Sequence, residues 1–375
     1  MKILYITEQV HLHGGAEKIL IQKLNYWAEV FGYEVMLITS EQKGKPACYP
    51  ISGKVKHVDL NIGYVEGKSY FSPVNVKKFP KHYKLLQQQI SSFNPDAVFL
   101  ISLTWIRFAL PYLAKGFNIY NEYHTSYYGF QLGYENASAV VKIKKKLAGL
   151  FIEFVENQYT NIVFLNQAEY DFYQRKNAVI IPNFFEANVP ESSQPKQKQI
   201  LSLGRMNYQK GYDLLIEAWA KIDNQIEDWT VKIFGNGSDK EALREQVKKH
   251  NFKNPLVVGD AISNVSEELL RSEFYVMSSR FETFPMVLLE ALSHGLPVAS
   301  FDCPTGPRSI LTENEDAILA QPENPADLAQ KMLQLINDEN LRRQMGAKGH
   351  ANVDRFRPAL VMAKWDELIR RNANR

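Results

Sequence analysis

Cysteine is almost missing: only Cys48 and Cys303 occur in 375 residues. Two thiols cannot build a disulfide framework or a cysteine-rich metal site, and a reducing cytosol suits them. No apolar run approaches the ~20 residues that a membrane-spanning helix needs. The opening MKILYITEQV is too short for a signal-peptide core and reads as a first strand. A cytoplasmic protein is expected. Asp-x-Asp is also lacking, and with it the carboxylate pair that would hold a metal under a nucleotide diphosphate. G-x-G-x-x-G is absent from the first loop, which weakens a nicotinamide or flavin reading. H-E-x-x-H, G-x-x-x-x-G-K-Ser/Thr and G-x-S-x-G are missing as well. There is little surplus charge: 44 Lys and Arg against 41 Asp and Glu leave +3, too little to indicate nucleic acid. No fixed-period repeat is present, so the chain is not a solenoid.

What is present fits an ordered globular α/β protein. Hydrophobic residues make up 45% and charged residues 23% of the chain, and the length favours two domains. Apolar runs at Lys2–Thr7, Glu34–Thr39, Ala97–Ile101, Phe117–Tyr120 and Asn161–Leu165 read as strands, and 16–30 reads as a helix between the first two. Strands separated by helices imply a parallel sheet covered on both faces. Residues 182–199, with three prolines and many polar residues, read as an interdomain linker. The alternation then restarts, with strands at 199–203, 230–234, 256–258, 274–277 and 297–300 and helices at 211–221 and 240–249. Two doubly wound Rossmann-like halves follow, residues 1–185 and 198–357. The last helix, from Pro358, carries Leu360, Trp365, Leu368 and Ile369 on one face; it packs back onto the first domain or docks on its own.

Four stretches carry candidate chemistry. In SSRFETFPMVLLEALSHGLPVAS, Glu282 precedes a helix and Glu290 lies inside it, with Pro285 suited to the first helical position. The amides of Phe284, Pro285's neighbour Met286 and Val287 then form an anion-binding helix start, and the two carboxylates can grip sugar hydroxyls. The same spacing also suits a cap and a solvated face. In LGRMNYQKG, Gly204 ends a strand, and Arg205 and Lys210 project from a strand-to-helix loop where they can flank a diphosphate or remain ordinary surface cations. Gly14 and Gly15 stand between the first strand and helix, where glycine lets backbone approach a phosphate or simply makes a tight turn. His124 follows the carboxyl end of a strand, where open α/β sheets bind ligands. Separately, Lys142, Lys144, Lys145 and Lys146 lie in an apolar segment, 140–155, that reads either as a basic amphipathic helix for an anionic membrane or as a solvated lysine cluster.

Together, these motifs resemble the retaining glycosyltransferases of family 4, whose GT-B fold sets two Rossmann-like domains facing across a cleft. The resemblance covers nearly the whole chain and is strongest in RFETFPMVLLEALSHGLPVA. It implies that Arg205 and Lys210 bind the diphosphate, Glu282 the transferred sugar, Glu290 the ribose, and the amides of Phe284 to Val287 the distal phosphate, with Gly14, Gly15, Gly204, Thr283 and Pro285 also at the donor. His124 matches the histidine that faces donor sugar and acceptor. FDCPTGPRSIL resembles members acting on polysaccharide or lipopolysaccharide precursors, and Ser309 stands where many of them carry Glu. The implied reaction transfers a hexose or N-acetylhexosamine from a nucleotide-sugar, UDP-linked, to a saccharide or lipid-linked saccharide, with neither metal nor cofactor and with charge on the leaving diphosphate stabilised electrostatically. Peripheral contact with the inner membrane surface is a further expectation. A nucleotide-sugar epimerase or phosphorylase of the same fold, or a non-catalytic sugar-binding protein, are the alternatives; a dehydrogenase fits poorly.

Overall fold

The computed structural model describes residues 1–101, 104–131, 138–187, 189–190 and 195–373. The chain divides into two compact units: Met1–His124 with Gln131–Phe184 and Ala359–Arg375, and Thr125–Phe130 with Phe185–Pro358. Residues 125–130, expected in the first domain, thus cluster with the second. Of the expected linker, residues 188 and 191–194 lie outside the described residues, and the rest from Phe185 onward groups with the second unit.

In the first unit the short apolar runs become β1 (Lys2–Thr7), β2 (Glu34–Thr39), β3 (Val55–Asp59), β4 (Ala97–Leu100), β5 (Asn118–Glu122), β6 (Asn161–Phe164) and β7 (Ala178–Ile180). They pair in parallel in the order β3-β2-β1-β4-β5-β6-β7. Alternation along β1 feeds two cores. Ile3 and Tyr5 join Trp27, Phe99 and Tyr120 on one face, while Leu4 and Ile6 join Leu86, Trp105 and Phe164 on the other. The final helix, Pro358–Ala373, completes the first of these cores. Trp365 is 1% exposed, its ring edge-on to Trp27 at 6.4 Å and to Phe99 at 5.5 Å. The helix therefore belongs to the first unit. Its buried face uses Val361 and Met362 where Leu360 was expected; Leu360 is 53% exposed.

The second unit repeats the plan with β8 (Gln199–Leu203), β9 (Thr230–Phe234), β10 (Leu256–Gly259), β11 (Phe274–Met277), β12 (Val298–Phe301) and β13 (Ala317–Ala320). All pair in parallel, in the order β10-β9-β8-β11-β12-β13. Strand order therefore reverses between β8 and β11, and the loops beyond the carboxyl ends of those two strands border the crevice where doubly wound sheets bind ligands. In the first sheet the reversal lies between β1 and β4. No helix among the described residues is long and apolar enough to cross a membrane.

Candidate active site

Both loops at the second unit's reversal point are tied to each other before any side-chain chemistry begins. After β8 the chain forms a short turn, Tyr208–Lys210, ending at Gly211 with φ +60°. A Cβ at Gly211 would come within 2.1 Å of the Ser278 carbonyl oxygen, so glycine is needed both for the left-handed backbone and for the close approach. The Arg280 amide donates to the Gln209 carbonyl at 2.7 Å, and the Ser278 hydroxyl donates to the Lys210 carbonyl at 2.9 Å. Gln209 Nε2 returns a bond to the Phe281 carbonyl at 3.1 Å. These bonds hold the loop after β8 in register with the loop after β11.

That register brings Lys210 onto Glu282. The ammonium lies 2.6 Å from Glu282 Oε1, and the Ser279 hydroxyl donates to the same oxygen at 2.7 Å. Glu282 is 6% exposed. A carboxylate so far out of water is costly unless paired, and Lys210 supplies the pair. Behind it, Gly306 has φ +77°, and a Cβ there would meet Glu282 Cβ at 2.5 Å. The Thr305 hydroxyl donates to the Glu282 carbonyl, while Ser126 Oγ lies 3.0 Å from Thr305 Oγ1. Ser309, where relatives were expected to carry Glu, turns its hydroxyl back onto the Gly306 carbonyl. Cys303 is buried beside this pair. Burial pushes its thiol well above the ordinary range, and the Glu282 charge adds to the effect, so it is no nucleophile at neutral pH.

Arg205 projects from the same loop but is exposed and forms no ion pair among the described residues. The structure therefore joins Lys210 to Glu282 and leaves Arg205 open to an incoming anion. Glu282 is followed by buried Thr283, Phe284 and Pro285, and the helix runs Met286–Ser293. Pro285 occupies the cap instead of the first helical position, with ψ 94°. Met286 and Val287 thus open the helix, and their amides, like all first-turn amides, have no partner within it. Phe284 packs edge-on against Phe356 at 5.6 Å, which anchors the helix start. Glu290 is half-buried one turn further on, and its carbonyl accepts from His294 Nδ1 at 2.7 Å.

Sequence reasoning missed Arg280. Its guanidinium makes a bidentate pair with Asp213 (2.9 and 2.6 Å), a third bond to Glu323 at 3.0 Å, and lies 4.2 Å from the Tyr208 ring centroid. One side chain therefore clamps three stretches around Lys210. The signal available was only an arginine beside Glu282; its partners are 67 and 43 positions away.

In the first unit, Gly14 caps the helix Gly15–Glu29 in extended backbone, φ −160°. The Glu17 carboxylate folds over it, so that a Cβ on Gly14 would meet Glu17 Oε2 at 2.2 Å, and Gln9 Nε2 holds Glu17 Oε1 at 3.0 Å. Gln9 Oε1 in turn accepts from the amides of His11 and Leu12. His124 follows β5, its Nε2 3.1 Å from Glu122 Oε2.

In sequence and fold the chain is similar to known glycosyltransferases. Residues 183–351 match the model of the glycosyl transferases group 1 family. The chain is 25% identical over 379 residues to the amylovoran biosynthesis glycosyltransferase AmsD of Erwinia amylovora, covering 98% of this chain and 99% of that one. Among solved structures, the lipopolysaccharide outer core galactosyltransferase WaaB, in its apo form, superposes with a TM-score of 0.74 at 19% identity, over 99% of this chain and 100% of that one. Anabaena Alr3699/HepE, solved with UDP, superposes with a TM-score of 0.72 at 14% identity, over 98% and 99%. Residues 183–351 are thus similar to the glycosyl transferases group 1, and the two parallel sheets have the GT-B fold.

Proposed function

We propose that this chain is a retaining glycosyltransferase that moves a hexose or N-acetylhexosamine from a UDP-sugar to a saccharide or lipid-linked saccharide during cell-surface glycan synthesis. The observation that carries the reading is the buried Lys210–Glu282 pair, set between an open Arg205 and the start of the helix Met286–Ser293. In this proposal Arg205, Lys210 and the first-turn amides bind the diphosphate and stabilise the charge it gains on leaving, with no metal required. Lys210 is shared: its ammonium neutralises Glu282 and meets the diphosphate. Glu282 accepts from hydroxyls of the transferred sugar, Glu290 from the ribose, and Thr283 and Phe284 lie beside the distal phosphate. Gly204 leaves room beside it, and Gly14, Gly15 and His124 serve the reaction from the first unit. The acceptor hydroxyl attacks from the face the diphosphate leaves. The UDP complex of the Anabaena protein supports the choice of nucleotide, and the lipopolysaccharide enzyme supports the class of acceptor.

The test is a panel of UDP-glucose, UDP-galactose, UDP-N-acetylglucosamine and UDP-N-acetylgalactosamine, with and without a membrane-extracted acceptor fraction, in buffer containing EDTA. Acceptor-dependent release of UDP, and a product with the donor's anomeric configuration, are expected. An epimerised donor formed without acceptor would establish the epimerase instead, and binding without turnover would establish a sugar-binding protein.

One further surface favours work at a membrane. The helix Ala139–Glu156 exposes Val140, Ile143, Leu147, Leu150, Phe151 and Phe154, each 55–61% exposed and together on one face by their spacing of three and four. Lys142 and Lys145 occupy the other side, and Lys144 and Lys146 flank the apolar face. An apolar face with flanking lysines suits the interface of an anionic bilayer. Cosedimentation with phosphatidylglycerol vesicles is expected for the wild type, and replacing Leu147 and Phe151 with Glu should remove it. Equal sedimentation of that variant would discard the membrane contact.

A further inference from the structure

The carboxylate behind His124 lies far deeper than a histidine partner needs to be. Glu122 ends β5, and its side chain is 1% exposed. Its Oε1 accepts the Tyr5 hydroxyl from β1 and the Lys23 ammonium from the helix Gly15–Glu29, the latter at 2.5 Å. Its Oε2 accepts Lys23 again at 2.5 Å and lies 3.1 Å from His124 Nε2. Lys23, 2% exposed, lies 4.2 Å from the Trp365 ring centroid on the final helix. Two elements of the first unit, β1 and the helix Gly15–Glu29, therefore meet β5 on one carboxylate, and the final helix covers its counter-ion.

We propose that Glu122 is a positioning residue: its buried carboxylate holds the His124 ring with the proton on Nε2 and leaves Nδ1 as the nitrogen that meets substrate. This rests on the reading of His124 as a participant in transfer. A carboxylate accepts and cannot donate, so the ring nitrogen beside it must carry hydrogen. Glu122 is ionised because burial, which would raise its pKa, is outweighed by Lys23 and His124, and its value falls below the usual carboxylate range. The hydroxyl of Tyr5, pushed well up by burial, stays protonated and donates. Among the described residues the bond to the ring is made at Nε2, so Nδ1 is the nitrogen that Glu122 does not engage. A fully desolvated Lys–Glu pair does little for stability that an apolar pair of the same size would not do. What an apolar pair cannot do is fix the orientation and the tautomer of a histidine at the end of a strand.

Histidine side-chain 15N–1H long-range correlation spectra distinguish the two tautomers, and the His124 signals are identified by their loss in His124→Asn. The wild type should show His124 with hydrogen on Nε2. Glu122→Gln should shift it towards a mixture. Lys23→Met/Glu122→Gln removes both buried charges and so tests the same point without an uncompensated ammonium. With the donor panel above, turnover in these variants should fall about tenfold to a hundredfold, the range seen when outer partners of ligating histidines are lost, while donor KM stays within about twofold. A wild-type His124 protonated on Nδ1, or an Nε2–H form that persists in the double variant, would overturn the inference. If His124→Asn kept full turnover while the tautomer results held, the role of His124 would fail and the hold of Glu122 on the ring would stand.

Discussion

Arg205 and Glu282 serve one proposed chemistry from opposite environments, and mutation should separate them. Arg205 is exposed and carries no ion pair among the described residues, so Arg205→Ala should leave stability within about 0.5 kcal/mol while lowering turnover about 10²- to 10³-fold. Glu282→Gln removes the charge that neutralises Lys210 and weakens the Ser279 bond. It should cost on the order of 1–3 kcal/mol of stability as well as activity, because a mostly buried ammonium loses its counter-ion. Urea denaturation alongside donor turnover reads both effects; equal destabilisation by the two variants would contradict this picture of the pair. Both residues stood out in the sequence as candidates, since each lies just beyond the carboxyl end of an apolar run. Arg280 and Glu122 were not. Their meaning lies in partners 43 to 117 positions away, which no local spacing encodes.

Among the elements, the strands inside each sheet were legible and, β10 apart, those at the sheet edges were not. β1, β2, β8, β9 and β11 coincide with their apolar runs. β3 (VKHVD) and β7 are edge strands with polar or only half-buried residues, and β13 is a four-residue run that composition does not separate from a loop. The helix Phe79–Phe93 illustrates how an element buries a titratable group. Trp105 Nε1 donates to the Tyr64 hydroxyl at 2.8 Å, which lies 3.1 Å from His82 Nδ1, and burial lowers His82 to about 4. Its unfolded value is about 6.5. The unfolded chain therefore binds a proton below that pH and the folded one does not. His82's contribution is full above pH 6.5 and falls by about 1.4 kcal/mol per unit as pH drops towards 4, near 3 kcal/mol in all. Urea midpoints at pH 7 and pH 5 should differ more in the wild type than in His82→Gln. Identical differences would mean that His82 titrates normally. At the active loop, Gly211→Ala should destabilise by at least 1–3 kcal/mol, since φ +60° and the Ser278 carbonyl both reject a Cβ; a thermal melt within error of the wild type would show that the two loops can part.

The whole chain is threaded so that the first unit is finished last. Apart from Thr125–Phe130, which group with the second unit, it stays in the first unit to Phe184, builds the second from Phe185 to Pro358, and returns as the final helix. Trp365 lies against Trp27 and Phe99, and its ring also covers Lys23, the counter-ion of Glu122. Removing the last turns therefore acts on the first unit's core and on His124's support, not on the nearest residues in sequence. Trp365→Ala should cost about 3–5 kcal/mol, the range for deleting a buried aromatic. Ending the chain at residue 357 should open β1, the helix Gly15–Glu29 and β4 to hydrogen exchange while β8, β9 and β11 remain protected. The sequence left the helix's docking open between two domains because Trp365 demands burial without naming a partner. Exchange that rose equally in both units of the shortened chain would show one cooperative whole, and protection retained in β1 would show that the first unit closes without its final helix.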